Sequence, residues 1–137
     1  MADDEGSDDG LLRLAAAARR LVEAVVLTDV DADDLEVAAK EVEDLDQRLR
    51  RQLLEHPRRP DFGPDGRMRA LANPVIGEAN PLAPPLYVES SRDGTARAEF
   101  ELGDAYEGPP GLVHGGVCAL ILDHILGSAA VPRAGPE

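Results

Sequence analysis

The sequence has no tryptophan, a single cysteine, a single lysine (Lys40) and only 3% aromatic residues. Any core it builds is therefore aliphatic, made mostly of alanine, leucine and valine within a hydrophobic content of 43%. With only Cys118, no internal disulfide can form. No apolar run reaches the roughly 20 residues that a membrane-spanning helix needs. The first residues also lack the basic-then-apolar pattern of a secretory leader. These absences lead us to expect a cytoplasmic protein. Positive charge is scarce too: 14 Lys and Arg face 27 Asp and Glu, a formal net charge of −13. Phosphate recognition needs clustered cations, so neither nucleic acid nor an anionic membrane is expected as a partner.

What is present falls into four blocks. Residues 1–10 hold Asp3, Asp4, Glu5, Asp8 and Asp9, and are expected to be a disordered acidic tail. Residues 11–56 are expected to form a helical hairpin. In its first helix, about Leu11 to Leu27, residues Leu11, Ala15, Ala18, Val22 and Val25 make a stripe at helical spacing. The second, about Ala32 to Glu55, has Asp31 as its cap, with Asp33 and Asp34 at the positive end of its dipole. Leu35, Val42 and Leu49 repeat every seven residues there, which predicts a helix packed on another, most simply on its own protein. Residues 57–85 are rich in Pro and Gly, so regular structure is not expected. A strap laid over a globular surface fits them, with Phe62, Met68, Leu71, Val75, Ile76 and Leu82 as anchors. Residues 86–137 open with a hairpin signal: Leu86–Ser91 and Thr95–Leu102 flank Arg92-Asp93-Gly94. Ala96, Ala98, Phe100 and Leu102 alternate with charged residues, giving one face to a core. A loop follows, and then a helix from His114 or Gly115 to about Ala130. It is apolar almost all round, which predicts a buried helix, and Pro132 should end it.

Three features of this last helix carry chemistry. Gly115 and Gly116 stand at its start, where backbone N–H groups lack internal partners. Glycine lets another molecule approach those donors, and donors and dipole together suit a carbonyl oxygen that gains negative charge in acyl transfer. Asp123 lies two turns in, among apolar residues, where a carboxylate needs a reason. It either makes a buried hydrogen bond to a neighbouring loop or lines a cavity in which partial desolvation makes it reactive. Finally, Gly116, Ala119, Gly127 and Ala130 share its face and permit close approach by another helix or a slender ligand.

The stretch from about Asn73 to Ala130 resembles the hot-dog-fold thioesterase superfamily, in particular the phenylacetate-pathway-like bacterial acyl-CoA thioesterases. The signature is His114-Gly115-Gly116 with an acid eight positions after the first glycine, here Asp123. Gly108-Pro109-Pro110-Gly111, Asn73-Pro74 and Asn80-Pro81-Leu82 strengthen it. The resemblance implies an α+β hot-dog fold, an antiparallel sheet wrapped around a central helix, here incomplete and preceded by the helical hairpin. It implies a homodimer or a dimer of dimers with the active site at the dimer interface. It further implies hydrolysis of acyl-CoA thioesters to acid and CoA. Gly115 would polarise the thioester carbonyl through its N–H. Asp123 of the partner protomer would act as general base or nucleophile. His114, Gly116, Gly108 and Gly111 would line the substrate site, His114 chiefly holding the loop. No cofactor and no metal is implied. Where the family often has Asn or Gln before the His, this chain has Glu107 and Gly108.

Such chemistry needs little machinery, because a thiolate leaves readily: its conjugate thiol has a pKa of about 8.5. Rival readings of the same residues are weaker. Cys118 lies four residues after His114, but an aliphatic setting makes it a small hydrophobe rather than a nucleophile. His114, Asp123 and His124 cannot converge on a metal, since adjacent helical positions diverge by about 100°. The family pattern calls for about three more strands after the central helix, so we expect a fragment that is inactive and poorly folded alone. A non-catalytic module that binds acyl-CoA or mediates dimerisation is the alternative to an enzyme.

Overall fold

A computed structural model describes residues 3–63, 68–91 and 93–130. Arg92 of the expected turn and Pro132 after the last helix lie outside the described residues, as do the strap residues 64–67. The architecture is α+β: three helices and two small antiparallel two-stranded sheets.

Helix α1 runs Asp3–Leu27, so it takes in most of the segment expected to be disordered. Acidic residues suit the positive end of a helix, and Asp8 is fixed in place by Arg69 at 3.1 Å. The predicted stripe divides in two. Ala15 is buried and Leu11 and Ala18 are half-buried, whereas Val22 and Val25 are exposed.

Helix α2 runs Ala32–Leu49, with the Asp31 carboxylate accepting the Asp34 N–H at 3.0 Å as the predicted cap. It ends at Leu49, before the expected Glu55. The expected packing of the heptad stripe is also absent: Leu35, Val42 and Leu49 are exposed and α2 buries no residue. A seam of that period finds its energy in a facing helix, and no described element supplies one.

The strap is more regular than its composition suggests. β1 (Asp61–Phe62) and β2 (Met68–Arg69) pair antiparallel, and the Arg69 guanidinium bridges to Asp61 across them at 2.8 Å. Beyond them the chain turns twice at Asn-Pro pairs. The Asn73 side chain accepts the N–H groups of Val75 and Ile76 at 2.8 and 3.0 Å, and the Asn80 side chain accepts that of Leu82 at 3.0 Å. Asn is the residue whose carbonyl mimics a backbone turn in this way. Leu71 and Val75 anchor the strap as expected, while Phe62, Met68 and Leu82 point outward.

The hairpin forms where predicted but is shorter, with β3 (Glu89–Ser90) on β4 (Ala96–Arg97). Gly94 takes φ +83° in its turn, a conformation that an L-residue avoids. Helix α3 spans Gly115–Ala130, as the sequence predicts, and packs on β4. Its Ile121 joins Val75 and Leu86 in the core, with Ile76, Leu102, Val117 and Ile125 around them. The helix is not buried all round, contrary to expectation. Only the side bearing Val117, Ile121 and Ile125 meets the core, while Leu120, Leu122 and Leu126 are exposed. The strap and hairpin are one layer, and one layer covers one side. No described helix is long and apolar enough to cross a membrane.

Candidate active site

The loop before α3 is closed by its own backbone. The Gly108 N–H donates to Leu112 O at 2.8 Å, and Glu107 bridges to Val113. Gly108 packs against the His114 backbone with no room for a Cβ, and Gly111 takes φ +76°. The Gly-Pro-Pro-Gly run is thus a tight turn. The Glu107 carboxylate accepts the Gly111 N–H across it, so this side chain serves the loop's geometry.

The turn delivers His114 to the helix start with its own N–H held by Tyr106 O at 2.9 Å, and three of the four orphan donors that any helix N-terminus leaves are satisfied around it, those of His114, Gly116 and Val117. Its carbonyl accepts Val117 and Cys118 N–H at 2.9 and 3.1 Å. Its Nδ1 accepts the Gly116 N–H at 3.0 Å. That leaves Gly115. Its N–H has no acceptor among the described residues, and no atom lies within 4 Å of where its Cβ would stand. One open, helix-directed donor remains, at the position read from the sequence. Gly116, expected beside it at the substrate, has its N–H engaged by His114.

Asp123 sits on the side of α3 away from the core. It is exposed, as are Gly116, Ala119, Gly127 and Ala130 along the same face. No ion pair among the described residues involves it. Neither expected environment is present among the described residues, which give Asp123 no buried hydrogen bond to a loop and no enclosed cavity. The reason is geometric. Val117, Ile121 and Ile125 take the core side, and the described residues place nothing over the other. A shallow pocket of about 230 Å³, lined by Pro57, Arg58, Pro60, Ala70, Ala72 and Asn73, includes no residue of the motif. Cys118 is exposed, not the buried small hydrophobe that its neighbours suggested. His124 is half-buried. Among the described residues, no three His, Cys, Asp or Glu side chains converge as a metal site would require.

Two residues that sequence reasoning passed over bear on this site. The Tyr106 hydroxyl donates to Leu82 O at 3.1 Å, while its own carbonyl accepts the His114 N–H at 2.9 Å. Burial pushes its phenol pKa up, against the opposing charge of Arg19. Arg19 itself, on α1, donates to carbonyls of the strap. An isolated aromatic after the acidic Asp104 was the available signal for Tyr106; Arg19 had none.

No family model and no curated relative matches this chain. Among solved structures, the crystal structure of a thioesterase superfamily protein is similar to it, with a TM-score of 0.73 and 39% sequence identity over 87% of this chain. The chain spans 62% of that protein's length. In fold and in sequence alike, the chain resembles the thioesterase superfamily, the resemblance that its His-Gly-Gly motif and spaced Asp carry.

Proposed function

We propose that this chain carries the active-site part of a hot-dog-fold acyl-CoA thioesterase of the phenylacetate-pathway-like group, hydrolysing acyl-CoA to free acid and CoA. The observation that supports it most is the unpartnered Gly115 N–H, left open at a helix start whose other donors are satisfied. Such a donor, fixed before the substrate arrives, stabilises a developing oxyanion without reorganising.

Gly115 and Asp123 of one chain are eight residues apart on α3, or about 12 Å along its axis. They are too far apart to meet at one thioester carbon. The proposal therefore pairs Gly115 of one copy with Asp123 of another, across a homodimer. The small side chains at Gly116, Ala119, Gly127 and Ala130 allow close approach of the second helix. That approach also covers Leu120 and Leu126 and removes water from around Asp123. The carboxylate then draws a proton from a water that attacks the carbonyl carbon, or it attacks that carbon itself to form an anhydride that water afterwards hydrolyses to the free acid, restoring Asp123. The C–S bond breaks and CoA leaves as thiolate. His114 holds the loop and caps the helix.

The exposed Asp123 favours one second reading, a non-catalytic module that binds acyl-CoA or mediates dimerisation. Asp123→Asn, assayed against a panel of acyl-CoA thioesters, separates the two. An enzyme loses turnover by about 10²–10⁴-fold while still binding, whereas a wild-type protein that binds acyl-CoA and never turns it over would establish the module.

A further inference from the structure

Arg19 lies midway along α1, far in sequence from the motif. Its guanidinium gathers four backbone carbonyls of the strap: Ala83 O at 2.9 Å, Asn80 O at 3.2 Å, Gly77 O at 3.3 Å and Glu78 O. The bonds come from Nε and Nη2 alone, so three N–H hydrogens on one rigid fork are shared among four carbonyls that would otherwise diverge. Leu82 stands between two of the residues so held, and its carbonyl accepts the Tyr106 hydroxyl at 3.1 Å. Tyr106 passes the constraint on, since its backbone carbonyl accepts the His114 N–H at 2.9 Å. His114 then caps α3 through Gly116. A second contact supports the same route. The Glu23 carboxylate, one turn from Arg19 on α1, stands beside Gly103. Gly103 O accepts the Tyr106 N–H at 3.0 Å, so α1 reaches Tyr106 from two sides.

We propose that Arg19 is a positioning residue for the start of α3. By fixing residues 77–83 it fixes Tyr106 and His114, and through them the direction in which the Gly115 N–H points. The catalytic meaning of that direction rests on the thioesterase reading above; the mechanical coupling does not.

The test is amide hydrogen exchange, followed by NMR on the wild type, Arg19→Ala and Arg19→Lys, with thioester turnover measured alongside. In Arg19→Ala, exchange at His114 and Gly116 should quicken about tenfold while that at Ile121, inside the core, stays unchanged. Arg19→Lys, whose donors radiate from one nitrogen in place of the Nε and Nη2 pair, should fall between. Turnover in Arg19→Ala should lose kcat at unchanged KM. Unchanged exchange at His114 and Gly116, or an equal rise at Ile121 that signals general loosening, would overturn the coupling. An inactive wild type with coupled exchange would overturn the role given to Gly115 and leave the coupling standing.

Discussion

The two sides of α3 differ in almost every physical respect. One carries Val117, Ile121 and Ile125 into an aliphatic core with Val75 and Leu86. The other shows solvent a strip of Gly116, Ala119, Gly127 and Ala130 around Asp123, with Leu120 and Leu126 at its edges. The first side holds the fold, and the second is where we place the chemistry. A helix that is apolar on both sides has two partners to find, and the described residues supply one of them. Substitutions should therefore sort by side, those on the core side lowering stability and those on the open side lowering turnover.

The largest expected effect is on the open side, where Asp123→Asn should cut kcat by about 10²–10⁴-fold with little change in Tm, measured by steady-state thioester hydrolysis and calorimetry. Equal losses in Tm and turnover would break the division. On the core side, Ile121→Ala should cost about 2–5 kcal/mol in stability by leaving a cavity, read from denaturant unfolding. Gly115→Pro sharpens the comparison at the helix start. Proline is accepted at the first helical position and open space surrounds this one, so the variant deletes the N–H alone. It should keep the fold and lose about 10²–10³-fold in kcat. Gly77→Ala, in the strap beside the core, would drive a Cβ into the Leu71 and Asn73 backbone and should cost about 1–3 kcal/mol in unfolding experiments. The smallest effect lies in the hairpin that supports the core side. Hydrogen bonds from Thr95, first its hydroxyl and then its N–H, hold the Asp93 carboxyl below the usual carboxylate range. A lowered folded-state value gives stability that is present above the unfolded value and lost as pH falls through the folded one. The protection of the Thr95 N–H, its exchange rate divided into that of an unstructured amide at the same pH, should therefore fall in acid, and Asp93→Asn should remove that dependence.

Much of this division was legible in the sequence, and the part that was not has a common cause. The helix from Gly115 to Ala130, the turn at Asp93-Gly94 and the Asp31 cap are local: each follows from residues within a turn of one another. The place of Gly115 at a helix start was legible for the same reason, because helix starts always leave N–H groups without an intrahelical partner. The sparing of Gly115 by His114 was not, since spacing does not say which donor a capping ring will take. The orientation of Asp123 was misread because a helix apolar on all sides gives no sign of which side its own chain covers. α1 and α2 show the same limit. Both carry helical stripes, yet α1 docks on the strap through Ala15 and Arg19 while α2 docks on nothing described. Periodicity announces a face and does not name its partner. Arg19 meets carbonyls some 60 residues away, and no local pattern marks such a side chain among the other arginines.

The claim that most needs testing is that one thioester is handled by two copies of this helix. Asp123→Asn and Gly115→Pro should each be nearly inactive alone. Mixed one to one and allowed to exchange subunits, they should regain turnover toward about a quarter of the wild-type rate, since each mixed two-fold dimer rebuilds one intact site from two damaged chains. A mixture of exchanged subunits that stays as inactive as its parents would contradict the account.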